Sequence, residues 1–189
     1  MAQKRKDWNG LISGFKASDL VFLDESGCNT DMTRQYAYSL GGSRAVDSAP
    51  LSKPKNTTIL SSIQLDGTLR YTTFSGGTTV ERFKRYLETD LLPHLNGNSV
   101  LIMDNMKSHH ARAVRNLLDS SGVRYIYLPP YSPDLNPIEK LWSKVKSFLR
   151  KFKARTLDAL LNAIQCAFQT VSPSDCSGWF HSCGYSPYF

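Results

Sequence analysis

The chain has little that would divide, anchor or cross-link it. No Pro-, Gly- or Ser-rich stretch separates its 189 residues, and no segment repeats or falls into low complexity, so one compact domain is expected. No apolar run approaches transmembrane length, and the basic start, residues 1–10, is not followed by an apolar segment of signal-peptide length. A cytosolic protein with no membrane partner is the expectation. Cysteine is sparse, and Cys28, Cys166, Cys176 and Cys183 lack CxxC spacing, which argues against a disulfide framework and for reduced thiols. Cys176, His181 and Cys183 are near enough in sequence to be considered as zinc ligands, yet they lack a paired knuckle and an obvious fourth ligand. Acidic residues are also few: 16 Asp and Glu face 23 Lys and Arg, giving a net charge of +7. Such a surplus enriches a protein around phosphate backbones, although it equally serves a soluble basic surface. Lys4-Arg5-Lys6 has the charge of a nuclear import signal but reads better as a solvated tail, with residues 1–19 a basic N-terminal segment and 20–189 the folded unit with a helical C-terminal tail.

Hydrophobic residues, 41% of the chain, supply a substantial core. Alternation and turn residues predict strands over 20–25, 35–39, 57–65 and 68–74, the last two joined through Asp66-Gly67 as a meander. After Gly76-Gly77, a helix is expected from Thr78 to about Leu92, with Val80, Phe83, Leu87 and Leu91 on one face. A strand over 99–105, a helix over 111–118 and a strand over 123–128 follow, and this alternation implies parallel pairing. The fold class is therefore α/β: a mixed sheet, with an antiparallel meander followed by alternating helices and strands, flanked by helices.

The most informative stretch runs from 126 to 146. Asn136 suits a helix N-cap, Pro137 the first helical position and Glu139 the third. Ile138, Leu141, Trp142, Val145, Phe148 and Leu149 form an apolar stripe, while Glu139, Ser143, Lys146 and Arg150 follow one another along an adjacent face. Upstream, two apolar runs end in acids: Leu20-Val21-Phe22-Leu23 in Asp24-Glu25, and Val100-Leu101-Ile102-Met103 in Asp104-Asn105. Carboxylates are hard oxygen ligands, and Asp24, Asp104 and Glu139 converging at the ends of buried elements would cage Mg²⁺ or Mn²⁺ with positions open for phosphate and water. Glu139 has a second reading, as a capping-box residue reaching back to the Asn136 backbone N–H.

These motifs resemble the catalytic domain of a D-D-E transposase of the mariner superfamily, in its bacterial insertion-sequence branch. The resemblance rests on Leu23-Asp24-Glu25-Ser26-Gly27, on Met103-Asp104-Asn105 with His109, and on Tyr131-Ser132-Pro133-Asp134-Leu135-Asn136-Pro137-Ile138-Glu139. Thirty-four residues separate Asp104 from Glu139, as in that branch, and Trp179-Phe180-His181-Ser182-Cys183-Gly184-Tyr185 is similar to the family's terminal signature. The resemblance implies an RNase H-like fold and two Mg²⁺ or Mn²⁺ ions held by Asp24, Asp104 and Glu139. It implies cleavage at transposon ends and joining of the freed 3′-hydroxyl to target DNA, typically at TA dinucleotides. The implied partners are double-stranded DNA, a second copy when assembled on DNA, and a separate N-terminal helix-turn-helix module, since fewer than twenty residues precede the first strand. The implied setting is the bacterial cytoplasm, at the nucleoid. Two other classes share the motifs: an RNase H-like nuclease that hydrolyses without joining, and a noncatalytic, domesticated DNA-binding domain.

Other polar residues carry double readings. His109 is expected to contact DNA or orient a phosphate, or else to be a surface or helix-start histidine. Asn105 is a candidate DNA contact, and it either supports Asp104 or closes the strand through a backbone bond. Lys146 and Arg150 either hold a DNA backbone or are solvated charges, and Asp134 suits a turn better than a metal. Arg34, Tyr36, Lys53 and Lys55 extend the candidate DNA surface on charge alone. By strand alternation Glu25 should point away from Asp24, to the opposite sheet face.

Overall fold

The computed structural model describes residues 2–34, 36–51 and 54–185. Its centre is a five-stranded sheet in the order β3-β2-β1-β4-β5, formed by β1 (Leu20–Cys28), β2 (Thr57–Gln64), β3 (Leu69–Ser75), β4 (Val100–Met103) and β5 (Arg124–Tyr127). β1, β2 and β3 pair antiparallel in sequence order, whereas β4 and β5 join β1 in parallel. The β2–β3 turn is made at Asp66-Gly67, where Gly67 takes φ +91° and the Asp66 carboxylate accepts the Thr68 N–H at 2.8 Å. A left-handed residue is needed there, and glycine adopts it without a Cβ penalty.

Helices cover both sheet faces. α1 (Ala2–Ile12), α4 (Ile138–Phe152), α5 (Leu157–Gln169) and α6 (Pro173–Ser182) bury one face around Leu20, Phe22, Val100 and Ile102. α2 (Val80–Tyr86) and α3 (Arg112–Ser121) bury the other around Val21, Leu23, Leu101 and Met103. The alternation of β1 and β4 side chains between two apolar clusters fixes which face each following residue takes. α2 starts as the sequence suggests, with Thr79 Oγ1 accepting the Arg82 N–H, but ends early: Leu87–Leu91 widens into a π turn. No described helix is long and apolar enough to cross a membrane.

Two sequence expectations fail. Residues 36–39 form no strand: Tyr36 and Tyr38 alternate with small residues, but both are almost fully exposed and lack a neighbouring strand to supply ladder bonds. Gln35, the first residue of that expected strand, lies outside the described residues. The solvated-tail reading of the N-terminus fails as well, because α1 inserts Trp8, 4% exposed, into the core. Trp8 Nε1–H donates to the Tyr185 hydroxyl at 3.2 Å, and that hydroxyl donates to the Leu135 carbonyl at 2.6 Å. Arg5 adds an ion pair to Asp134. The first helix and the terminal Tyr185 thereby hold the turn that leads into α4. The four cysteines are free, with Cys28, Cys176 and Cys183 buried.

Candidate active site

The parallel register of β1 and β4 runs from Leu20 opposite Val100 to Leu23 opposite Met103. The next residues on the two strands are Asp24 and Asp104. β4 stops there while β1 continues to Cys28, so a cleft opens beyond the end of β4, and Asp24, Asp104, Asn105, Tyr131 and Glu139 line it.

Asp24 is the deepest of the three carboxylates, 8% exposed. Its Oδ1 accepts the Glu25 N–H at 2.8 Å and its Oδ2 accepts the Trp142 indole N–H at 3.1 Å. Desolvation pushes its pKa up to about 7; the two hydrogen bonds pull it down, and the charges of Asp104 and Glu139 add to the rise. Asp104 is half-buried, and burial would raise its pKa. The hydrogen bond and charge of His109, with the Met106 N–H, outweigh that and hold it below the usual carboxylate value.

Glu139 reaches the same cleft from the first turn of α4 and is exposed. The capping-box reading is corrected. A short turn, Pro133–Leu135, precedes α4, and within it the Asn136 N–H already donates to the Pro133 carbonyl at 3.1 Å. No donor remains for Glu139 to reach back to, and the buried Asn136 Oδ1 has no partner among the described residues. The Glu139 carboxylate stays in the cleft wall.

Among the described residues no three His, Cys, Asp or Glu side chains are drawn into a finished metal cage. The three carboxylates share an open cleft instead. Their chemistry suits a hard dication: all donors are oxygens, and a bound cation would offset the mutual repulsion and desolvation that raise the Asp24 pKa.

The neighbouring polar residues sort less simply. Asn105 takes the strand-closing role, its Nδ2 donating to the Leu128 carbonyl at the end of β5, while Oδ1 lies 3.3 Å from His110 Nε2. His109 is neither at the surface nor at a solvent-exposed helix start. It is fully buried, stacked on Phe83 at 4.2 Å between ring centroids, with Nδ1 2.8 Å from Asp104 Oδ1 and Nε2 3.2 Å from Glu25 Oε2. An apolar pocket under α2 and α3 draws the ring inside, and two carboxylates supply its partners. Burial alone would lower the His109 pKa, but Asp104 and Glu25 push it up to about 9. Glu25 does point away from Asp24, as alternation requires. Asp134 is a turn residue paired with Arg5. Lys146 and Arg150 line the next depression along α4, beside Gly27, Cys28 and Asn56. Arg34 and Tyr36 are exposed near Arg150, and Lys53 lies outside the described residues.

The sequence reading missed two contacts. Trp142 belongs to the apolar stripe of α4, yet its indole N–H secures Asp24; the available signal is that a buried indole needs an acceptor, three residues from Glu139 on the same side of the helix. The Glu25–His109 pair joins residues 84 positions apart, and nothing local marks it.

The family model described as DDE superfamily endonuclease matches residues 19–161, a span that contains all three carboxylates. The Tc1 transposase of Caenorhabditis elegans is 29% identical over 97 residues, covering 49% of this chain and 36% of that protein. An uncharacterised 39 kDa protein of insertion element IS630 from Shigella sonnei is 33% identical over 75 residues, covering 39% of this chain and 22% of that protein. The chain thus aligns with well under half the length of these relatives. Among solved structures, the catalytic domain of Mos1 mariner transposase superposes with a TM-score of 0.73 at 18% identity, covering 99% of this chain and 94% of that one. A pre-cleavage Mos1 transpososome gives a TM-score of 0.80 at 18% identity, covering 100% of this chain and 63% of that one. The fold is therefore RNase H-like, as in the Mos1 catalytic domain. With its family model spanning both acidic strands and the helix that carries Glu139, the chain belongs to the DDE superfamily endonucleases.

Proposed function

We propose that the chain is the catalytic domain of a transposase in the bacterial insertion-sequence branch, which cleaves phosphodiester bonds at transposon ends and joins the freed 3′-hydroxyl to target DNA. The observation that carries this reading is the meeting of Asp24, midway along β1, with Asp104, just past the end of the parallel β4, with Glu139 in the same cleft wall. The IS630 relative and the 34-residue spacing of Asp104 and Glu139 support the branch. Mos1 structures with Mg and with Mn support the choice of cation.

Asp24, Asp104 and Glu139 would hold two Mg²⁺ or Mn²⁺ ions. Bound there, the cations supply activation of a water or DNA hydroxyl and stabilisation of the leaving oxygen. The chain's own residues do the rest. Trp142 and the Glu25 N–H fix the Asp24 carboxylate, and the open cleft admits a DNA backbone from solvent. Lys146 and Arg150, further along α4, engage flanking phosphates and set the strand's path past the carboxylates. Double-stranded transposon-end and target DNA are the substrates. Paired-end and strand-transfer complexes of Mos1 support action on transposon-end DNA; assembly of two copies on that DNA and end recognition by a helix-turn-helix module complete the proposal.

The test is a strand-transfer assay with Mg²⁺ or Mn²⁺, a pre-cleaved end duplex and target duplex, with and without a supplied recognition module. Joined products are expected. Hydrolysis without joining would assign a nuclease, and DNA binding without either reaction would assign a noncatalytic domain.

A further inference from the structure

Behind the cleft, the face of the sheet covered by α2 and α3 is apolar around Val21, Leu23, Phe83, Leu101 and Met103, and a buried polar bridge of Glu25 and His109 runs through it to Asp104. Glu25 enters this face from β1 with its side chain 10% exposed, and its Oε1 has no hydrogen-bond partner among the described residues. His109 lies between it and Asp104. Phe83 stacks on the ring, and the Tyr127 hydroxyl donates to the His109 carbonyl at 2.9 Å, so both ring and backbone are held. A charged or strongly polar bridge in such surroundings is a poor source of stability, because desolvation offsets its attraction and apolar side chains would pack as well. Its one outlet is Asp104. The His109 ring nitrogen and the Met106 N–H both engage Asp104 Oδ1, at 2.8 and 3.0 Å, while the side chain stays 41% exposed at the cleft. Oδ2 is the oxygen left for a ligand.

We propose that His109 is a positioning residue: anchored by Glu25 on the far side of the sheet, it locks the Asp104 carboxylate so that Oδ2 is presented to a divalent cation. This rests on the reading of Asp104 as a metal-holding group. Partners that orient a metal ligand from outside its coordination sphere typically change metal affinity by about 10–100-fold when removed.

The two ring nitrogens have separate mimics. In His109→Asn the amide takes the Nδ1 position and keeps the bond to Asp104; in His109→Gln it takes the Nε2 position and keeps only the bond to Glu25. The measurement is the Mn²⁺ concentration giving half the maximal thermal shift, with single-turnover strand transfer beside it. His109→Asn is expected to stay within about threefold of the parent, whereas His109→Gln should need about tenfold more Mn²⁺ or beyond. Equal Mn²⁺ requirements for the two variants would overturn the proposal, since a purely structural histidine would not distinguish them. Glu25→Leu, which removes the acceptor for Nε2 while keeping the bulk of the side chain, should raise the requirement by a few-fold. No rise would remove Glu25 as the anchor. Asp104→Asn separates the two levels: unchanged Mn²⁺ binding there would overturn the metal reading of Asp104 itself, whereas its loss alongside equal His109 variants would overturn only the positioning role.

Discussion

The indole N–H of Trp142 donates to Asp24 Oδ2 at 3.1 Å across 118 residues of chain, tying the core stripe of α4 to the most buried acid of the cleft. Trp142→Phe keeps the ring's packing and removes that donor. The variant should lose about 1–3 kcal/mol in urea denaturation, the usual cost of leaving a buried acceptor unpaired, and strand-transfer turnover should fall with it. Full activity in Trp142→Phe would show that Asp24 needs no such fixing.

Asp104→Asn should abolish cleavage and joining, because an amide is a poorer ligand for a hard dication, while circular dichroism shows an unchanged fold. In the metal-free protein it weakens the pair with buried His109 that holds the Asp104 pKa below the usual carboxylate value, so the melting temperature should fall. Retained Mg²⁺-dependent activity in a folded Asp104→Asn protein would place the metals elsewhere.

Glu139 is exposed and makes no capping bond, since the Asn136 N–H is already committed to the Pro133 carbonyl. Glu139→Gln, and even Glu139→Ala, should therefore shift metal-free stability by no more than about 0.5 kcal/mol, the range of ordinary surface substitutions. Activity and Mn²⁺-induced stabilisation should both be lost. A large fall in stability with activity preserved per folded molecule would return Glu139 to a structural role.

Tyr185→Phe cuts both the bond from Trp8 and the bond to the Leu135 carbonyl. A loss of about 1–3 kcal/mol is expected from the two groups left unpaired, together with faster amide exchange at Leu135 and Asn136, just before α4. Unaltered exchange there would show that α1 and the terminal segment do not hold the turn.

Asp175 caps α6 through Ser172 and pairs with Lys144 at 2.6 Å. The Lys144 hydrogen bond, followed by those from the Ser172 backbone and hydroxyl, holds its pKa down at about 2. A depressed carboxylate contributes stability above its unfolded value, near 4, and loses that contribution as pH falls toward 2. Acid titration of the melting temperature should accordingly be shallower in Asp175→Asn between about pH 4 and pH 2. An identical acid slope would show that the pair contributes nothing.

Much of the candidate cleft was legible because local patterns carry it. The apolar run before Asp104 announced a strand that stops at its acid, whereas the strand expected to end at Asp24-Glu25 runs on to Cys28; the stripe of α4 fixed where Glu139 would stand relative to the sheet. Alternation alone separated Glu25 from Asp24. The errors fell where the deciding partner was remote: residues 36–39 have a strand-like pattern but no strand beside them, and α1 shows a basic surface whose single deep anchor, Trp8, meets Tyr185 at the other end of the chain. The periodicity of a sequence determined its elements and the face each residue takes, because those follow from backbone geometry. Only the tertiary structure decided what the hidden polar groups bond to. The Trp142 indole and the His109 ring needed partners once buried, but which carboxylate oxygen accepts from each was set by the register of β1 against β4 and by helices packed from opposite sides of the sheet.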